Sequence, residues 1–103
     1  MRWQDVHMEQ SALRDIVHER SDAWEKAGLT WDYQVGPQTD KPASWLTLSG
    51  SHADAFLKVW SSGEAELEWG VEGDAHARHY DLSSVETLRL CVDDLEAALR
   101  AFL

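Results

Sequence analysis

One short segment of the chain contains four glutamates, each separated from the next by two or four positions: Glu64, Glu66, Glu68 and Glu72. Apolar residues such as Leu67 lie between them, so a strand here would present carboxylates on one face and apolar side chains on the other. A row of carboxylates can bind a metal ion, transfer protons or attract a cationic partner. A flat sheet face lacks the cleft and the converging ligands that the first two uses need. The spacing therefore predicts either an ordinary solvated face or a protein-binding surface.

The remaining groups with reactive chemistry do not form a recognisable centre. His76 and His79 lie on a predicted strand at an odd separation, which places them on opposite faces and prevents them from sharing one metal ion. Cys91 is the only cysteine and lies beside the apolar stripe of a predicted helix, as expected for a small buried residue. The chain has no glycine-rich phosphate loop and no nucleophile-elbow motif. We expect no catalytic residues, no metal and no cofactor, and hence no enzyme activity.

The composition limits the classes of partner. Nineteen acidic residues against nine basic ones give a formal charge of −10, which disfavours binding to nucleic acid or to an anionic membrane. A basic partner fits this charge, although acidity that serves only solubility fits it equally. No stretch approaches the roughly 20 apolar residues of a membrane span, and the first residues lack the apolar core of a signal peptide. One cysteine allows no intrachain disulfide, so we expect a cytoplasmic protein. A chain of 103 residues has the length of one domain, so we expect a single domain over residues 1–103.

Two amphipathic helices are predicted at the ends of the chain. From about residue 4 to residue 27, apolar side chains recur at helical spacing, and Gly28 then provides a stop. Near the C-terminus, Ser83 and Glu86 match a capping box that opens a helix running almost to Leu103. The apolar stripe of this second helix consists of Val85, Leu88, Val92, Leu95, Leu99 and Phe102.

About five strands are predicted between the helices, separated by a proline-containing loop at 36–42 and by short polar turns. The predicted strands cover residues 29–35, 44–50, 55–60, 64–71 and 76–80. The later connections are too short for a parallel crossover, which needs about a dozen residues, so the sheet should be an antiparallel meander. Two apolar helix stripes and one apolar sheet face must then be buried together. The predicted fold is an α+β two-layer sandwich with an N-terminal helix, this meander and a C-terminal helix.

In such a sandwich the second side of the sheet stays in contact with water, and we call this side the open face. Its predicted members are Trp45, Phe56, Trp60, Glu64, Glu66, Glu68 and Glu72. Aromatic side chains anchor protein interfaces and carboxylates attract a basic partner, so these residues are the candidate partner-binding set. Trp45 and Trp60 are interpreted either as such anchors or as fillers at the sheet edges. Arg78, one strand away, is expected to pair with the carboxylates of this face.

Two sequence motifs resemble a known family. The segment Val59-Trp60-Ser61-Ser62-Gly63-Glu64-Ala65-Glu66-Leu67 carries a "V-W-x-S-G-E-x-x-L" turn. The segment Tyr80-Asp81-Leu82-Ser83-Ser84-Val85-Glu86-Thr87-Leu88 carries an "aromatic-D-L-S-S-x-E-x-L" helix entry. Over roughly Trp24 to the C-terminus the chain resembles small actinobacterial immunity proteins of the TriTu family, which are encoded beside polymorphic toxins.

The resemblance implies a cytoplasmic protein that binds and neutralises one cognate toxin domain and performs no catalysis. It implies no specific residue set, so the candidate binding residues come from the strand alternation alone. The alternative is a small acidic chaperone-like module that dimerises and holds a segment of a secreted protein. We expect a monomer or a weak homodimer, with a stable dimer favouring the chaperone.

Overall fold

The computed structural model of the protein describes residues 10–37, 41–71 and 73–100. Two helices flank five strands in the order that the sequence predicts. Their bounds are α1 Gln10–Lys26, β1 Thr30–Val35, β2 Ala43–Ser49, β3 Asp54–Trp60, β4 Glu64–Val71, β5 Asp74–Asp81 and α2 Val85–Arg100. The residues expected to begin the first helix, at 4–9, lie outside the described part of the chain.

The five strands form one antiparallel sheet in the sequential order β1-β2-β3-β4-β5. Short turns join the last four strands, which is why each of them pairs with its neighbour in sequence. Helix α1 packs on β1 and β2, and helix α2 packs on β3 and β4. Both helices lie on the same side of the sheet, so the predicted two-layer α+β sandwich is confirmed.

One hydrophobic cluster fills the space between the two layers. The sheet contributes Leu46, Leu48, Leu57, Val59, Ala65 and Leu67, all at most 2% exposed. Each helix contributes five residues: Ala12, Leu13, Ile16, Val17 and Trp24 from α1, and Leu88, Cys91, Val92, Leu95 and Leu99 from α2. Trp31 and Trp69 pack against the margin of this cluster, so the predicted inward orientation of Trp24, Trp31 and Trp69 is confirmed.

Polar contacts join the two helices along their shared margin. The Trp24 Nε1 donates a hydrogen bond of 2.6 Å to the Glu96 carboxylate. The Arg20 guanidinium lies 2.6 Å from Asp93 and 3.1 Å from Glu96, and Arg89 pairs with a carboxylate of α1. These contacts hold the helices side by side above the sheet, and among the described residues no helix lies on its other side, the open face.

The start of α2 differs from the prediction by one residue. Ser84, not Ser83, caps the helix: its Oγ accepts the Thr87 N–H at 3.2 Å, and the Ser84 N–H donates to Thr87 Oγ1 at 3.0 Å. Thr87 therefore takes the place that the prediction gave to Glu86, because a helix beginning at Val85 puts the third position at residue 87. Val85, predicted to be part of the apolar stripe, is the first residue of α2 and is 40% exposed. Phe102 lies outside the described residues.

Strand β5 forms one edge of the sheet and is exposed along most of its length. Helix α2 lies over β3 and β4, so the helix side of β5 has little cover. Within the described ranges, no helix is long and apolar enough to cross a membrane.

Candidate protein-binding face

The strand register confirms which side chains share the open face. Trp45, Lys58, Glu66 and His79 lie opposite one another in a single row across β2, β3, β4 and β5. The next row contains Phe56 opposite Glu68, and Trp60 and Glu64 follow the same alternation. Six of the seven predicted residues, Trp45, Phe56, Trp60, Glu64, Glu66 and Glu68, therefore lie on the side away from the helices. Glu72 lies outside the described residues.

A lysine that the sequence analysis did not single out lies among the tryptophans of this face. The Lys58 Nζ is 4.9 Å from the ring centroid of Trp60 and 5.8 Å from that of Trp45. A cation at this distance is attracted by the negative face of an aromatic ring. The alternation Phe56-Lys58-Trp60 already placed Lys58 on the open face, but only the register brought it opposite Trp45.

Glu64 is already engaged in an ion pair. Its carboxylate contacts the Lys41 ammonium and accepts a hydrogen bond of 3.1 Å from the Ser62 hydroxyl. Both contacts favour the ionised form, and the lysine contact chiefly lowers the pKa of Glu64 below its ordinary value. The Lys41 ammonium also lies 5.7 Å from the Trp60 ring centroid. This end of the open face is therefore a preorganised cluster rather than a bare carboxylate.

Glu66 contacts a histidine of the neighbouring strand. The His79 Nδ1 lies 3.4 Å from Glu66, and its Nε2 lies 3.3 Å from Asp81. Hydrogen bonding to Glu66 first, and to Asp81 second, raises the pKa of His79 above its ordinary value. The charge of this row therefore depends on pH near neutrality.

The expected pairing of Arg78 with the carboxylates of the open face is wrong. Arg78 lies opposite Leu67, so its side chain is on the helix side of the sheet and His79 occupies the open-face position. Its guanidinium is 6.0 Å from the ring centroids of Trp69 and Tyr80 and 3.7 Å from Asp94. The prediction failed because strand alternation cannot identify the facing residue until the pairing register is known.

Tyr80 continues this helix-side group. Its hydroxyl donates a hydrogen bond of 2.8 Å to Asp94 of α2. Burial and this hydrogen bond raise the pKa of Tyr80 to about 12, so the phenol is neutral at physiological pH. The Tyr80–Asp94 contact ties the exposed strand β5 to the helical layer.

Glu68 is the most exposed of the three glutamates of β4. Among the described residues it forms neither an ion pair nor a side-chain hydrogen bond, in contrast to Glu64 and Glu66. Asp54, the first residue of β3, is likewise exposed and has no ion pair or side-chain hydrogen bond to a described residue. The open face thus combines Lys58 and the aromatic side chains of β2 and β3 with the three glutamates of β4, and Asp54 of β3 lies near Glu68 at one end.

The remaining reactive groups stay separate. His76 stacks on Trp69 on the helix side with ring centroids 5.5 Å apart, whereas His79 is on the open face, as the odd spacing predicts. Cys91 is 1% exposed, and burial raises the pKa of its thiol to about 12. Within residues 10–37, 41–71 and 73–100, no three potential metal-ligating side chains come together.

No model of a known protein family, no curated protein and no solved structure matches this chain.

Proposed function

We propose that this protein is an immunity protein that binds one cognate toxin domain through its open face and neutralises it without catalysis. The supporting observation is the composition of that face, where Trp45, Phe56 and Trp60 lie beside three glutamates. Large aromatic side chains supply desolvated anchors, and the surrounding charge accelerates encounter with an oppositely charged surface. The resemblance to TriTu-type immunity proteins points in the same direction.

The expected partner surface is basic. Six carboxylates of described residues, Asp32, Asp54, Glu64, Glu66, Glu68 and Asp81, share the open face with only two lysines, Lys41 and Lys58. A toxin that acts on nucleic acid has a basic cleft, and an acidic protein surface could occupy it in place of phosphate. In this proposal the protein acts in the cytoplasm, where the toxin would otherwise reach its target, and contacts no nucleic acid directly.

The first test uses the full-length protein and the product of the neighbouring gene, where the proposal expects the toxin domain. We expect a 1:1 complex, with Trp60→Ala lowering affinity at least tenfold because a large aromatic anchor is removed. Glu68→Lys should lower the association rate and its dependence on salt, because electrostatic steering weakens. The matched control, Asp22→Lys, makes the same charge change on an exposed position of α1 and should have a smaller effect.

Two results would contradict the proposal. Full affinity in the Trp60→Ala variant would remove the open face as the binding surface. An association rate with the same salt dependence in Glu68→Lys and in the unaltered protein would remove the electrostatic part.

One observation favours the alternative of a secretion-chaperone-like module. Strand β5 is an edge strand of eight residues, seven of them exposed and none of them proline, so it can accept an additional strand from an extended peptide. Arg78 counts against this use, because a charged side chain on the helix-facing side of an edge strand discourages strand addition. Sedimentation analysis separates the two functions: a stable dimer that binds an extended segment supports the chaperone, and a monomer supports the immunity protein.

A further inference from the structure

A shallow depression of about 310 Å³ lies at the end of the open face where β3, β4 and β5 meet. On the open face it is lined by Asp54, Gly70 and Ala75, which form one row across the three strands, and by Phe56 and Glu68, which lie opposite each other in the next row. Small residues on β4 and β5 leave the floor low, and the Phe56 ring and the two carboxylates stand around it. We call this feature the Gly70 depression.

The backbone itself keeps this floor low. Gly70 has a φ of +146°, which L side chains rarely adopt, and a Cβ at this position would lie 2.2 Å from the Asp74 carbonyl oxygen. No other residue fits there without a shift of the β4–β5 hairpin. The low floor of the Gly70 depression is therefore a consequence of the backbone conformation at Gly70.

The charges at this depression are uncompensated within the described part of the chain. Neither Asp54 nor Glu68 has an ion pair or a side-chain hydrogen bond there. The other two glutamates of β4 are paired, Glu64 with Lys41 and Glu66 with His79. Asp54 and Glu68 are diagonal neighbours on adjacent strands, about 7 Å apart at their Cβ atoms. Carboxylates at this separation, in a protein of charge −10, favour a cation between them.

We propose that the Gly70 depression receives one arginine side chain of the partner protein, stacked on Phe56 and bound by Asp54 and Glu68. Arginine suits this site better than lysine for two reasons. A planar guanidinium stacks on an aromatic ring, and its five N–H donors can reach two separate carboxylates, whereas an ammonium is a compact point charge. The inference deepens the proposed function, because the arginine belongs to the toxin domain.

The test uses the isolated protein, so that it does not depend on knowing the toxin. Nα-acetyl-arginine amide is titrated into the isotope-labelled protein while backbone amide shifts are recorded by NMR. We expect saturable shifts centred on Gly70 and Ala75, with a Kd on the order of millimolar for so small a ligand. Nα-acetyl-lysine amide, which has the same charge, should bind about threefold or more weakly.

Variants separate this site from general attraction to an acidic protein. Glu68→Gln should weaken binding of the arginine amide at least threefold, whereas Asp22→Asn removes the same charge from α1 and should leave it unchanged. Phe56→Leu should reduce the preference for arginine over lysine, because the ring that stacks on the guanidinium is lost.

The inference is overturned by shifts that do not saturate, by equal binding of the two amides, or by equal losses in Glu68→Gln and Asp22→Asn. These outcomes leave the proposed function intact if Trp60→Ala still weakens the toxin complex. Loss of the Trp60 effect with intact arginine binding would instead remove the proposed function and retain the site.

Discussion

The ammonium of Lys58 lies 4.9 Å from the ring centroid of Trp60, on the same strand and the same face of the sheet. Trp45, across the strand pair, approaches the same ammonium at 5.8 Å. This contact holds two large indole rings on a side of the sheet where neither α1 nor α2 lies. Aromatic anchors held in place before binding lose less conformational entropy when a partner arrives.

Replacement of Lys58 tests this arrangement. Lys58→Met retains most of the aliphatic stem but removes the charge, and we expect a loss of about 0.5–1 kcal/mol in the free energy of unfolding. Lys58→Arg should retain nearly all of the stability of the unaltered protein, because a guanidinium also binds to aromatic faces. Urea denaturation followed by tryptophan fluorescence measures both. Equal stability of Lys58→Met and the unaltered protein would show that the ring contacts contribute nothing.

Substitution of two adjacent serines distinguishes the observed helix cap from the predicted one. Ser84→Ala should lower the free energy of unfolding by about 1 kcal/mol, because the Thr87 N–H loses its acceptor. Ser83→Ala is the matched control and should change stability little, since the Ser83 backbone N–H that contacts Thr87 is retained. Thermal unfolding by circular dichroism compares them, and a larger effect at Ser83 would restore the predicted register.

The contact between the helices should depend more on Glu96 than on Asp93. Glu96 accepts the Trp24 Nε1 hydrogen bond and also contacts Arg20, and Trp24 is only 3% exposed. Glu96→Ala leaves the buried indole N–H without its acceptor, at a cost of about 1–3 kcal/mol. Asp93→Ala removes a half-exposed ion pair, which typically contributes less than about 1 kcal/mol. Chemical denaturation of the two variants measures the difference, and an equal or larger loss for Asp93→Ala would contradict it.

The His79 contacts predict a pH dependence with a definite sign. Glu66 and Asp81 raise the pKa of His79 in the folded protein, so their stabilising effect is fully present below the unfolded pKa. That effect is lost as pH rises through the higher folded value. NMR titration of the His79 ring should give a pKa above the model-peptide value of about 6.5, and Glu66→Gln should lower it. A His79 pKa that does not respond to Glu66→Gln would exclude this contact as the cause.

The buried thiol of Cys91 should react only after unfolding. Burial raises its pKa to about 12, so almost no thiolate forms at a pH of about 8.5, where an exposed cysteine is half ionised. Labelling with a thiol-specific disulfide reagent should therefore be slow in the native protein and rapid in denaturant. Labelling of the native protein at the rate of a free thiol would contradict the buried position.

Local patterns in the chain were sufficient to predict the helices and strands and their arrangement in two layers. The alternation from Glu64 to Trp69 separated core from carboxylate positions because strand side chains alternate without exception in an unbroken pairing. The spacing of Leu88, Val92 and Leu95 identified the buried side of α2 for the equivalent reason in a helix. Short turns between β2 and β5 required an antiparallel meander, since a parallel crossover needs more chain.

The identity of contact partners could be decided only by tertiary structure. Whether Arg78 or His79 faces the glutamates depends on the register of β5, and one residue of slip exchanges the two faces. Lys41 reaches Glu64 from a different part of the chain, and Lys58 meets Trp45 only through strand pairing. The sequence by itself determined which residues the open face could contain, because alternation is a local property. The structure decided which of its charges are paired and which remain available, because pairing depends on distances between residues far apart in the chain.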